Sequence, residues 1–170
     1  MSSEKDAIAE GLLKAIKAES DGQHFYLMAA RSTQDPKGRE IFETLADEEA
    51  GHMRFLKHQY KSILEKGEVD LEQQLGSRLM LEGMHPIFSG ELQARIKDAH
   101  FEMTALSIGI KLELDAMEFY KAEAVAHSDP AVTKFYEDLA EWESCHYNAL
   151  LQQHEALKED YFSGSNFSPF

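Results

Sequence analysis

The chain has 170 residues, with 17 Lys and Arg against 31 Asp and Glu, for a formal charge of −14. That length sets one domain with a core of useful size, and the acidic balance excludes a nucleic-acid binder or a protein that docks on an anionic membrane. The single Cys, Cys145, excludes an internal disulfide framework, a zinc ribbon and a four-thiolate iron site. The opening MSSEKDAIAE has neither a basic stretch nor an apolar run, so a soluble, cytoplasmic protein is expected.

Four segments read as long helices. The first spans about residues 4–31, opened by Ser3 with Asp6 three residues on. The second, about 37–66, follows Asp35-Pro36, a capping residue and then the imino acid suited to a first helical turn. A third is expected over 91–127 and a fourth from Asp129-Pro130 to about Lys158. Residues 67–90 differ in character, with Gly67, Gly76, Gly83, Pro86 and Gly90. They are too many for a bundle turn of roughly 2–8 residues and read as a crossover, with a short helix expected near 71–81. The last ten residues, 161–170, read as a tail that packs back on the body or a partner, leaving 1–160 as the domain. Two short hairpins joined by a long crossover make an all-α, ferritin-like antiparallel four-helix bundle.

The chain repeats itself at an offset of 94 positions without a gap. Glu19, Asp21, Phe25 and Tyr26 fall on Glu113, Asp115, Phe119 and Tyr120, and Asp35-Pro36 falls on Asp129-Pro130. Glu43, Leu45, Ala46, Glu49, His52 and Leu56 fall on Glu137, Leu139, Ala140, Glu143, His146 and Leu150. Two homologous hairpins of this kind pair about a pseudo-twofold axis.

Each helix carries a core stripe alternating by three and four, and each stripe holds a glutamate near its middle. The stripes are Leu12, Ile16, Glu19, Gln23, Tyr26, Ala30; Phe42, Leu45, Glu49, His52, Leu56; Leu106, Ile110, Glu113, Met117, Tyr120, Ala124; and Tyr136, Leu139, Glu143, His146, Leu150. Four buried carboxylates need a compensating positive charge, because an unpaired buried ion costs several kcal/mol, on the order of 3–5. No Lys or Arg lies on the stripes, so a pair of metal ions is expected. The i, i+3 spacing of Glu49/His52 and Glu143/His146 puts each pair on one helix face. Each imidazole then binds one ion, Glu49 and Glu143 bridge, and Glu19 and Glu113 are terminal ligands. Glu48 competes with Glu49 by position, but its counterpart is Trp142, which binds no metal, whereas that of Glu49 is Glu143. Carboxylates with two imidazoles suit iron or manganese and also hold zinc. Helical side chains lean toward the N-terminus, so across an antiparallel pair Tyr26 reaches for Glu113 and Tyr120 for Glu19, as candidate partners of the ligands. His24, His58, His85, His100, His127 and His154 have no such pairing and read as surface or capping residues. Cys145 lies off the metal-facing side of its helix.

The segments AIKAESDGQHFY, LADEEAGHMRFL, IKLELDAMEFY and LAEWESCHYNALL resemble the rubrerythrin branch of the ferritin-like superfamily. The resemblance implies a non-haem di-iron centre, hydrogen peroxide or dioxygen as oxidant, and a homo-oligomer, a dimer or larger. Two departures stand out. Rubrerythrins commonly carry a rubredoxin domain with paired CxxC motifs, which one Cys cannot supply, so an external electron-donor protein is expected. They also carry an extra glutamate three residues after the third-helix ligand, where this chain has Ala116. Three functions therefore compete: an oxidoreductase, a ferroxidase or iron-handling protein, and a bundle in which metal is structural.

Overall fold

The computed structural model describes residues 4–73, 75, 88–94 and 96–164. Five helices and no strand occur among the described residues: α1 (Glu4–Ser32), α2 (Pro36–Lys66), α3 (Gly90–Ala94), α4 (His100–Ala126) and α5 (Pro130–Gly164), with a 3-10 turn at Ile96–Asp98. The four long helices form an all-α, ferritin-like bundle. α1 packs along α2 and α4 along α5, and α1 also meets α4. No described helix is long and apolar enough to cross a membrane.

The ends of α2 follow from local chemistry. Asp35, extended at φ −79° and ψ 118°, accepts a hydrogen bond from the Gly38 amide, and Pro36 fills the first turn. At the far end Gly67 is left-handed at φ 82°, and its N–H closes the helix on the Ile63 carbonyl at 3.0 Å. Gln59 then pins the departing chain, donating to the Asp70 carbonyl at 2.9 Å and accepting from the Asp70 amide at 2.8 Å.

The apolar core divides into two clusters, one on either side of a polar middle. One holds Tyr26, Phe42, Leu45, Phe88, Leu106 and Leu150. The other holds Leu12, Leu56, Ile63, Tyr120, Tyr136 and Leu139. On α1 the innermost line is Leu12, Ala15, Glu19, Gly22 and Tyr26, while the expected Ile16 and Gln23 are only half-buried. On α4 Gly109 is buried, and Ile110 and Met117 are half-buried. Small residues take the inner line because the helices approach too closely for larger ones. A Cβ on Gly22 would stand 3.1 Å from Glu49 Oε2, and one on Gly109 3.2 Å from the Tyr26 hydroxyl.

Two helix boundaries differ from expectation. The third predicted helix is broken, with α3 and the 3-10 turn preceding α4. Leu92, Ile96 and Ala99 are still buried in the same core cluster as Ala149 and Leu157, and the spacing of those three residues is helical, so periodicity alone does not reveal the break. α5 runs beyond Lys158 to Gly164, and Tyr161 rests against the core. Residues 165–170 and most of the expected 71–81 helix lie outside the described residues; Leu71 and Glu72 form a turn.

Asp35 does more than cap α2. Its carboxylate also accepts from the amide and hydroxyl of Ser89, tying the end of the crossover to the first hairpin. Its repeat counterpart Asp129 is exposed, and its carboxylate accepts from the Ala131 amide at 2.8 Å. Asp35→Ala is therefore expected to cost more than Asp129→Ala, at or above the ~2 kcal/mol upper end for a lost cap against ~0.5–1 kcal/mol. Urea unfolding of the two variants measures the difference.

Candidate metal centre

The pseudo-twofold axis brings six side chains together in the polar middle: Glu19 from α1, Glu49 and His52 from α2, Glu113 from α4, and Glu143 and His146 from α5. None is more than 4% exposed, so water does not hydrate these charges. Donor atoms of Glu49, Glu113, Glu143 and His146 lie within 4.8 Å of one another, as do those of Glu19, Glu49 and His52. Glu49 belongs to both groups. Glu143 faces both imidazoles, with Oε1 3.1 Å from His52 Nδ1 and Oε2 3.4 Å from His146 Nδ1. The His52 and His146 rings lie nearly parallel, centroids 5.7 Å apart.

Each tyrosine crosses to the opposite hairpin. Tyr26 donates its hydroxyl hydrogen bond to Glu113, and Tyr120 donates to Glu19. Burial pushes both phenols well above their ordinary range, and the carboxylates push them further, so each keeps its proton and remains a donor. Each tyrosine thus occupies one oxygen of a candidate terminal ligand and leaves the other facing the centre.

With no metal ion present, protons take up the excess negative charge. Burial drives the Glu49 carboxyl well above its usual range, helped by repulsion from Glu19, Glu113 and Glu143. Burial also lifts Glu113, to about 7, although His146 opposes the rise. Glu143 goes the other way: burial alone would raise it, but the two imidazoles hold it below the usual carboxylate range. Burial weakens an imidazole as a base, yet Glu143 and Glu19 together raise His52 to about 10. Glu113, Glu143 and Glu48 likewise raise His146 well above its ordinary value against the same desolvation.

This donor set fits metal ions. Among the described residues, Glu49 Oε1, both oxygens of Glu143 and His146 Nδ1 are buried without a hydrogen-bond partner, which the interior does not tolerate cheaply. Carboxylate oxygens and imidazole nitrogens are ligands for divalent first-row metals. A cavity of about 300 Å³ between α1 and α4 reaches Glu19, Glu49 and Glu113, with Gly22, Tyr26 and Ala116 in its wall. A small molecule therefore has a way in from the carboxylate side.

The competing glutamate has a place of its own. Glu48 stands outside the two donor groups, with its Oε2 2.5 Å from His146 Nε2. Pairing residues by the repeat cannot find it, because its counterpart is Trp142. The usable signal is chemical: a metal-binding imidazole needs a partner for its other nitrogen. His24, His58, His100 and His154 lie at or near the surface, and Cys145 is half-buried with its thiol against the Glu141 carbonyl. His127 caps α4, and its ring stacks on Tyr136. His85 lies outside the described residues.

The protonation pattern sets a pH dependence. His52 is raised from 6.5 to about 10, so its stabilisation is complete below pH 6.5 and is lost as pH climbs to about 10. Glu49, raised by burial, adds to the same trend because ionising it in the core is unfavourable above the usual carboxylate range. The metal-free melting temperature is expected to fall between pH 6.5 and 10. Metal uptake at neutral pH is expected to release protons and to tighten as pH rises. Thermal melts across that range, and calorimetry in buffers of different ionisation enthalpy, measure the two effects.

Comparison with known proteins agrees with this geometry. No protein of curated function matches the chain. A solved hypothetical protein from Pyrococcus furiosus has a similar fold, with a TM-score of 0.62 and 24% identity over 89% of this chain and 90% of that one. The rubrerythrin family model matches residues 10–153, a span that reaches all four long helices and contains all six candidate ligands, and the chain belongs to the rubrerythrin family.

Proposed function

We propose that this chain is a non-haem di-iron oxidoreductase that reduces hydrogen peroxide or dioxygen with electrons from an external donor protein. The observation that carries this reading is the buried four-glutamate, two-histidine cluster, in which Glu49 Oε1, both Glu143 oxygens and His146 Nδ1 lack hydrogen-bond partners among the described residues and whose carboxylate side opens to a cavity. When bound, a ferrous pair would supply two electrons, enough with two protons to take hydrogen peroxide to water or dioxygen to hydrogen peroxide. Manganese and zinc suit the same donors, but zinc has no redox chemistry to offer.

The chain's own residues divide the work. Glu49 and Glu143 would be the bridging ligands shared by the two ions, since Glu49 belongs to both donor groups and Glu143 faces both imidazoles. His52 and His146 would each hold one ion, and Glu19 and Glu113 would be the terminal ligands. Tyr26 and Tyr120 hold those end carboxylates by one oxygen and keep a proton on the phenol oxygen. The two apolar clusters keep bulk water from the centre on both sides along the bundle.

A ferroxidase or iron-handling role is the second reading. It is favoured by the charge of −14, which attracts cations to the surface. Storage needs a closed shell of many subunits, whereas the oxidoreductase reading expects a dimer or a small oligomer, so sizing separates them.

After anaerobic expression in iron-rich medium, about two irons per chain are expected. Stopped-flow mixing with peroxide or dioxygen should oxidise them, and an added protein reductant should restore the ferrous form through repeated cycles. Iron near zero overturns the metal centre. Two irons with no repeated turnover leave a structural metal site. Among ligand variants, Glu49→Ala and Glu143→Ala are expected to lose more than half of the metal, since a bridge serves both ions. His52→Ala or His146→Ala should empty mainly one position. Metal analysis of the four proteins tests this division, and equal losses refute it.

A further inference from the structure

Every group at the centre has a repeat counterpart of the same type: Glu19 and Glu113, Glu49 and Glu143, His52 and His146, Tyr26 and Tyr120. The match fails one position before the candidate bridging ligands, where Glu48 faces Trp142 across the repeat. Both residues are buried, and each lies against the ligand histidine of the other hairpin.

The two contacts differ in kind. His146 turns Nδ1 inward, 3.7 Å from Glu49 Oε1, 3.7 Å from Glu113 Oε2 and 3.4 Å from Glu143 Oε2. Its Nε2 points outward to Glu48 Oε2 at 2.5 Å. His52 also turns Nδ1 inward, 3.1 Å from both Glu19 Oε2 and Glu143 Oε1. Its Nε2 is buried with no hydrogen-bond partner among the described residues. The Trp142 ring stands against it at 87°, centroids 5.3 Å apart. An indole has only an N–H to donate and cannot accept from a second N–H.

An imidazole that gives its inner lone pair to a metal carries its proton on the outer nitrogen. At His146 that N–H meets a carboxylate acceptor, which fixes the ring and its tautomer and strengthens the inner nitrogen as a ligand. At His52 the outer nitrogen has no such acceptor among the described residues, and that side of the ring meets the Trp142 indole. We propose that Glu48 is a positioning residue that orients His146 through its outer nitrogen, so that the His146 position binds metal more tightly than the His52 position. This rests on the di-metal reading. It makes the two positions unequal in a site whose six candidate ligands are matched in pairs.

The test is anaerobic titration of metal-free protein with Co²⁺, followed by calorimetry and by the visible Co²⁺ spectrum. Glu48→Gln, which keeps the side chain's size, is expected to weaken the tighter step about 10- to 100-fold and to shift only one of two Co²⁺ spectra. Glu48→Asp, which keeps the carboxylate on a shorter stem, should lose less. Single-position backgrounds identify which ion responds. In His52→Ala the remaining site should weaken when Glu48→Gln is added, and in His146→Ala the same substitution should change nothing. In the opposite direction, Trp142→Glu should tighten the His52 position. Wild-type protein that takes up no Co²⁺ overturns the di-metal reading and this proposal with it. Uptake of two ions with Glu48→Gln indistinguishable from wild type, or with equal loss in both backgrounds, overturns this proposal alone. Melting of the metal-free variants confirms that each is folded.

Discussion

The molecule is organised around one unfavourable act, the placing of four carboxylates within a dry helical core. Left ionised and unpaired, each would cost several kcal/mol, on the order of 3–5. The chain answers with two imidazoles and two phenols from the same stripes, so that every buried acid faces a proton donor or a site for a cation. The resulting pattern, with Glu49 and Glu113 raised and Glu143 depressed, is that of crowded carboxylates relieved by protons in a donor set that suits metal ions.

Other features follow from bringing four helices close enough for those groups to meet. Gly22 stands where Glu49 of its own hairpin approaches within contact distance and Gly109 where Tyr26 of the opposite hairpin does, and Ala15 is fully buried on the inner line of α1. The two apolar clusters flank the centre, so burial that stabilises the fold also keeps the site dry. Stability and site share the same stripes, and a polar residue in the middle of each is tolerated because the apolar residues above and below it hold the helices together. The α1–α4 face is the exception, where small side chains leave a cavity that reaches the carboxylates.

Duplication explains why a centre of matched pairs is easy to build. One hairpin supplies a terminal glutamate, a Glu-x-x-His pair and a tyrosine, and a second copy turned about the axis supplies the rest. Symmetry then leaves asymmetry to be introduced by substitutions beside the ligands. Glu48 against Trp142 and Ala116 against Gly22 are two such places. Only the first touches a candidate ligand histidine on both sides.

The sequence by itself determined the helical class, the hairpin pairing and the six converging residues, because each is written in local periodicity and repeated at a constant offset. The Tyr26–Glu113 and Tyr120–Glu19 contacts were also within reach, since side-chain lean and antiparallel pairing are both local rules. Tertiary structure decided what depends on distances between helices. It placed Ala15 and Gly22 on the inner line of α1 instead of Ile16 and Gln23, because backbone approach cannot be read from hydropathy. It broke the helix before His100 although Leu92, Ile96 and Ala99 keep helical spacing. It also carried Glu48 across to His146, a contact over 98 positions of sequence that no periodicity encodes. Its physical basis is that two side chains on different helices meet only after the whole bundle has set their separation.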